Sequence, residues 1–304
     1  MIGYYIHQLS PFLFEFKPGF GPRWYGLSYV LAFFLGYKLY HWLAQRGYTE
    51  MPAAQVADFI TSTAIFGVML GGRLGWALFY GWPQVVENPL SLLEVWKGGM
   101  SSHGGMLGVV LFTLFWSRRH RIPWTSIGDS ICVVAPIGFF IVRCANFING
   151  ELFGKPAGLP GQPASVPWAV IFPQELSEIP ALDAIRHDPE LRRWLIETLP
   201  PRHPSQIYEA LLEGVVLFAL TWFMRTRIRM PRGMITGVFF LLYALLRIVG
   251  EIFREPDPAW AVGSLSAGQF LSLFLLILSA AFIFWSARTR QYEPAFTKSA
   301  TPPR

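Results

Sequence analysis

The chain has 304 residues, of which 53% are hydrophobic and only 14% charged, against about 25% charged in a typical soluble domain. Together with a mean hydropathy of +0.37, this excludes an ordinary soluble domain and indicates a polytopic membrane protein. The formal charge of +6 sits mostly in short loops, where it records topology, so no nucleic-acid partner is expected.

The first 22 residues lack a basic start and an uninterrupted apolar core, so no cleavable signal peptide is expected. The Phe-rich stretch from Phe12 to Phe20 reads as interfacial. Apolar stretches near 20 residues, the length of a helical crossing, follow at 24–44 and 57–80. Asn88 and Pro89 then open a short interfacial helix carrying Leu92, Leu93, Val95 and Trp96. The stretch 103–117 is short for a crossing. It is counted as one because Gly-rich turns precede it and Arg118, Arg119 and Arg121 follow.

The fourth stretch, 127–148, contains both cysteines, Cys132 and Cys144, so no disulfide framework is indicated. Residues 150–204 hold ten prolines, a short strand predicted at Trp168 to Phe172, and an amphipathic helix. Asp188 caps that helix, Pro189 suits its first position, Leu191, Trp194, Leu195 and Leu199 share a face, and Pro200 with Pro201 stops it. Further crossings are expected at 205–224, 233–253 and 265–285, and 288–304 reads as a disordered tail.

The expected fold is therefore an all-α membrane protein of seven transmembrane helices. A membrane domain, 1–287, carries a small head inserted at 150–204. Basic residues after the third, fifth and seventh crossings place those ends in the cytoplasm, with the N-terminus outside. This threading gathers Tyr25, Arg73, His103, Arg143, Asn146, Gln206, Glu209, Arg247 and Gln269 in the outer half. Arg247 lies six residues from the outer end of its crossing, about 9 Å at 1.5 Å per residue. A polar cavity reached from the outer leaflet and holding an anionic group accounts for that convergence.

Ionisable residues inside a bilayer are costly and usually functional. Arg143 and Arg247 are the leading candidates, since a guanidinium stays charged and grips phosphate with a planar fork. The structural alternative is that each pairs with a carboxylate, Arg247 with Glu251 at helical spacing. Arg73, in Gly71-Gly72-Arg73-Leu74-Gly75, is open between ligand binding and close helix packing. His103, within Ser101-Ser102-His103-Gly104-Gly105, offers an imidazole that takes a proton near neutral pH. Its alternative is a helix-start histidine satisfied by backbone, with Gly104 and Gly108 as a packing pair. Cys144 reads as a small residue filling a helix contact.

No H-E-x-x-H, Cys/His metal cluster or G-x-S-x-G is present. Two other classes stay open. A phospholipid or anion transporter wants polar residues along both halves of its path, whereas the inner half here is apolar. An intramembrane protease wants a Ser/His, paired-Asp or metal centre, and Asp58 and Asp129 lack a matched setting.

The run Val142-Arg143-Cys144-Ala145-Asn146-Phe147-Ile148-Asn149-Gly150-Glu151-Leu152-Phe153-Gly154 resembles the signature of the phosphatidylglycerol:prolipoprotein diacylglyceryl transferases. Val142 departs from that pattern, which has Gly there. The similarity extends through Trp24-Tyr25-Gly26, Gly72-Arg73-Leu74-Gly75, Ser102-His103-Gly104-Gly105, Arg202-His203-Pro204-Ser205-Gln206-Ile207-Tyr208-Glu209, and Tyr243 through Glu251. The resemblance implies transfer of the diacylglyceryl group of phosphatidylglycerol to the lipobox cysteine thiol of a prolipoprotein signal peptide, releasing glycerol 1-phosphate. It places the protein in the bacterial cytoplasmic membrane, with the active site facing the outer leaflet. His103, Arg143 and Arg247 are then the expected catalytic residues. Tyr25, Asn146, Glu151, Gly154, His203, Tyr243 and Glu251 join both arginines in binding the lipid, with no metal or cofactor expected.

Overall fold

A computed structural model of the chain describes residues 4–17, 19–94, 98–255, 261–262 and 265–297. The positions of Val95 and Trp96, the side chain of Gln269 and residues 298–304 lie outside the described residues. The chain is mostly helical, and its long helices fall on the expected apolar stretches: α1 (Trp24–Gln45), α2 (Ala53–Phe79), α4 (Ser102–His120), α5 (Trp124–Asn149), α8 (Ser205–Arg227), α9 (Met234–Phe253) and α10 (Ala267–Thr289). A short α3 spans Trp82–Glu87. Among the described residues five segments are long and apolar enough to cross a membrane: α2, α5, α8, α9 and Ser272–Thr289 of α10. Large apolar side chains such as Phe66, Phe115, Ile277 and Phe284 stay exposed along the helices, a surface that suits lipid rather than water.

Contacts divide the chain into two compact units, one drawn from 1–32, 135–223 and 237–283, the other from 33–134, 224–236 and 284–304. In the first unit the predicted strand is real but shorter than expected. Strand β1 (Tyr5–Ile6) pairs in parallel with β2 (Val170–Ile171), Tyr5 opposite Val170. Helix α6 (Leu182–His187) precedes α7 (Pro189–Thr198). Asp188 caps α7 by accepting from the backbone N–H groups of Glu190 and Leu191 at 2.9 and 3.1 Å. Ile6, Ile171, Ile185, Leu195 and Leu199 form a buried core. The head therefore recruits the N-terminal strand in addition to 150–204. Trp194, expected on the same apolar face, is instead 47% exposed.

His7, next to β1, is buried. Its Nε2 lies 2.7 Å from the Phe147 carbonyl, and Gln174 Nε2 lies 2.8 Å from its Nδ1. That pattern suits the neutral Nε2–H tautomer, donating to the carbonyl and accepting from the amide. Burial lowers its pKa below the usual histidine value. Between β1 and α1 the described residues of the Phe-rich stretch form no helix, and Phe14, Phe16 and Phe20 are exposed.

In the second unit α2 and α4 meet along glycines. A Cβ on Gly75 would sit 2.6 Å from the Gly104 Cα, and one on Gly108 would sit 2.1 Å from the Gly67 carbonyl oxygen. The packing reading of Gly71, Gly75, Gly104 and Gly108 thus holds. Asn88 caps a 3-10 turn at Pro89–Leu93 by accepting from the Leu90 N–H. Arg73 is buried and spends its donors on the carbonyls of Ser91, Leu92, Gly98 and Gly99, with its guanidinium 4.4 Å from the Trp76 ring centroid. It anchors that loop.

The same unit buries or half-buries Arg225 and Arg232, which the sequence alone places in the basic loop after the fifth crossing. Asp129 caps α9, accepting from Gly233 N at 2.9 Å and from Thr236 N and Oγ1 at 2.8 Å each. Arg225, only 1% exposed, reaches Asp129 at 3.7 Å and Glu293 at 3.1 Å. Arg232 pairs with Glu50 and approaches Glu293 at 3.7 Å. The segment expected to be a disordered tail accordingly contributes a fully buried Glu293 and a short α11 (Pro294–Thr297). Burying apolar and paired charged groups offsets the entropy of ordering it.

Candidate functional site

Three helices of the first unit set the predicted arginines among carboxylates. Glu209 and Glu213 lie one turn apart on α8, where the backbone widens to a π-helical stretch, Ala210–Val216. Tyr243, Arg247 and Glu251 recur at four-residue spacing on α9, the period that keeps side chains on one helix face. Arg143 comes from α5, and Arg254 follows the end of α9.

Glu209 is fully buried and receives three arginines. Arg143 Nη1 lies 3.0 Å from its Oε2, and Arg247 Nη1 and Arg254 Nη1 lie 2.7 and 3.1 Å from its Oε1. Glu213 spans the same two membrane arginines at longer range, 3.2 Å to Arg247 Nη1 and 3.5 Å to Arg143 Nη2. Glu251 holds Arg247 Nη2 at 2.5 Å, the helical pair anticipated from spacing. The side chains of Arg143, Arg247 and Arg254 are 18, 13 and 16% exposed, whereas Glu209 and Glu213 are 0 and 2%. The carboxylates form the floor and the guanidiniums reach the accessible side. Tyr243 stacks on Phe239 and lies tilted against Phe139, with ring centroids at 6.0 and 5.4 Å.

The remaining predicted residues of this unit form pairs. One turn beyond Arg143, Asn146 donates to Glu151 Oε1 at 2.7 Å. Gly154 N donates to the His203 carbonyl at 2.9 Å, and a Cβ on Gly154 would come 2.4 Å from the Phe253 carbonyl oxygen. Only glycine allows that three-way backbone approach. His203 Nδ1 and the Tyr208 hydroxyl lie 3.2 Å apart, and that hydroxyl accepts from Trp168 Nε1 at 2.6 Å. Burial lowers the His203 pKa. Arg202 is tied to Glu175 by two bonds of 2.6 and 2.7 Å. Tyr25 sits at the start of α1, edge-on to Tyr29 at 5.4 Å.

His103 belongs to the second unit, as the second residue of α4 and exposed. Ser101 caps this helix through the Gly104 N–H at 3.2 Å. A recess of about 430 Å³ is lined by Leu111, Leu114, Phe115, Arg118 and Arg119, all from α4, and contains none of the predicted site residues. One helix face with two exposed cations does not converge polar groups on a reacting atom.

The sequence alone places Glu209 among the outer-half polar residues and in a family-like block without assigning it a role, and it singles out neither Glu213 nor Arg254. The signal for Glu213 was available, since Glu209 and Glu213 repeat the four-residue spacing of Arg247 and Glu251 inside an apolar helix. Arg254 was hidden by its place one residue beyond the expected crossing.

The sequence profile of the family described as prolipoprotein diacylglyceryl transferase matches residues 11–285. A protein of Coxiella burnetii (strain RSA 331 / Henzerling II) is 37% identical over 291 residues, covering 95% of this chain and 99% of its own. One of Azospirillum brasilense is 39% identical over 292 residues, covering 94 and 96%. Another, of Gluconacetobacter diazotrophicus, is 41% identical over 257 residues, covering 84 and 81%. All three are named phosphatidylglycerol–prolipoprotein diacylglyceryl transferases. The chain belongs to the prolipoprotein diacylglyceryl transferase family.

Proposed function

We propose that this protein transfers the diacylglyceryl group of phosphatidylglycerol to the lipobox cysteine thiol of exported prolipoproteins, forming a thioether and releasing glycerol 1-phosphate. Family membership over nearly the full chain carries the reading. The cluster of partly accessible arginines on a carboxylate floor supports it. The protein works as a seven-helix membrane enzyme of the bacterial cytoplasmic membrane, N-terminus and head outside, C-terminus in the cytoplasm, with the site open to the outer leaflet. The clustering of Arg118, Arg119, Arg121, Arg227, Arg229, Arg288 and Arg290 in the loops assigned to the cytoplasm supports that orientation.

In this mechanism the acceptor thiol, with a reference pKa of about 8.5, is mostly protonated at neutral pH and needs a base. His103 takes its proton. The sulfur attacks the glyceryl carbon, the carbon–oxygen bond to phosphate breaks, and its electron pair leaves with glycerol 1-phosphate. The phosphodiester becomes a monoester with more negative charge. Arg143 and Arg247 stabilise that growing charge, a role worth a few kcal/mol per donor in a dry site. Tyr25, Asn146, Glu151, Gly154, His203, Tyr243 and Glu251 shape the headgroup site and orient the arginines.

The test is incubation of purified protein with phosphatidylglycerol labelled in the glyceryl backbone and a lipobox peptide. Label is expected to become fixed to the peptide cysteine. Folded protein that binds both substrates and moves no label would overturn the reading.

A further inference from the structure

We infer that Glu213 is a displaceable counter-ion, holding the forks of Arg143 and Arg247 while the site is empty and yielding them to the lipid phosphate. This rests on the preceding proposal that the two arginines grip phosphate.

The ion-paired cluster described above joins Arg143, Arg247 and Arg254 to Glu209, Glu213 and Glu251. The three positive and three negative charges cancel, so a phosphate monoanion enters a cluster with no positive surplus, in surroundings where charges are poorly screened. Each Nη nitrogen of Arg143 and Arg247 already contacts a carboxylate. A phosphate gripped by both forks therefore competes with those contacts.

The three carboxylates differ in how firmly they are held. Glu209 is fixed by three arginines, with closest contacts of 2.7 to 3.1 Å. Glu251 is held at 2.5 Å by an arginine one turn away on its own helix. Glu213 has the longest contacts, 3.2 and 3.5 Å, and no third arginine among the described contacts. It also bridges both guanidiniums through its two oxygens, as two oxygens of a phosphate would. Its segment of α8 is π-helical, a local widening that often accompanies functional positions. Gly214, the next residue, packs so closely that an added Cβ would meet the Phe140 Cβ at 2.6 Å. This fixes the backbone and leaves movement to the Glu213 side chain.

The experiment measures equilibrium binding of phosphatidylglycerol, and of a neutral diacylglycerol with the same acyl chains, to the purified protein and to Glu213→Gln, Glu213→Asp and Arg247→Lys. Removing the competing charge in Glu213→Gln is expected to tighten phosphatidylglycerol about tenfold, the size of one net charge-assisted contact, and to leave diacylglycerol unchanged. KM falls, and kcat falls as well because the more highly charged product is held longer. Glu213→Asp keeps the charge but shortens the reach, so it shifts the same way by a smaller factor and covers a misfolded Gln variant. Unchanged or weaker phosphatidylglycerol binding in both folded Glu213 variants overturns the inference and makes Glu213 a structural partner. If Arg247→Lys also leaves phosphatidylglycerol binding unchanged, the arginine reading itself fails. If Arg247→Lys weakens it while neither Glu213 variant strengthens it, only the counter-ion inference fails.

Discussion

Two of the buried ionic clusters among the described residues, that of Arg225 in the second unit and that of Glu209 in the first, are built differently. Around Arg225, itself 1% exposed, Asp129 spends its oxygens on Gly233 and Thr236 as a helix cap, and Glu293 from the C-terminal segment completes the pairing. That cluster is closed and ties helix ends together. Around Glu209 the carboxylates are sealed, but the guanidiniums of Arg143, Arg247 and Arg254 keep 13 to 18% of their surface. Burial of charge alone therefore does not mark a functional site. What distinguishes the second arrangement is that cations are assembled by carboxylates and still presented outward.

The sharpest test of this contrast is replacement of the outward-facing arginines. Arg143→Lys and Arg247→Lys keep the charge but lose the planar fork. Each is expected to lower turnover by roughly a hundredfold to a thousandfold, about 2.7 to 4 kcal/mol of transition-state stabilisation, measured with protein abundance and lipid binding alongside. A Lys variant that folds and turns over at the parent rate would place that arginine with Arg225, as an ion-pair partner only.

His103→Gln probes the reaction outside either cluster. If imidazole accepts the thiol proton, turnover is expected to fall by about a hundredfold while phosphatidylglycerol binding holds, since the amide lacks useful basicity. Near-normal turnover across neutral pH would leave His103 a helix-start residue.

The closed cluster is expected to respond in stability. Asp129→Asn leaves Arg225 with Glu293 as its remaining anionic partner and weakens the α9 cap, at a cost of about 1 to 3 kcal/mol. Thermal unfolding in detergent measures this. A parent-like melting curve with lost turnover would reverse the assignments of the two clusters.

The smallest effect concerns a buried group held neutral. Burial lowers the His7 pKa in the folded state, so near and below the usual 6.5 the unfolded chain binds more protons than the folded one. Stability from this residue is full above about pH 6.5 and is lost as pH falls toward the folded value. Melting temperatures from pH 7.5 to 5 are expected to drop less in His7→Gln than in the parent. Equal slopes would show that His7 does not contribute to the acid sensitivity of the head.

Helix positions were legible because apolar length and flanking punctuation are local properties. The long helices fall within a few residues of the apolar stretches, and Asp188 and Asn88 cap as their sequences require. The pairing of Arg247 with Glu251 was equally local, four residues on one helix. Tertiary structure decided which charges are spent. Arg73, Arg143, Arg225 and Arg247 all read as cations within or beside apolar stretches. Only their partners separate a loop anchor on four carbonyls, a closed staple and an accessible pair over Glu209 and Glu213. Those partners lie 18 to 96 residues away in sequence, excepting Glu251. No local pattern encodes which of several equally charged carboxylates a guanidinium meets, because that choice is made by helix packing.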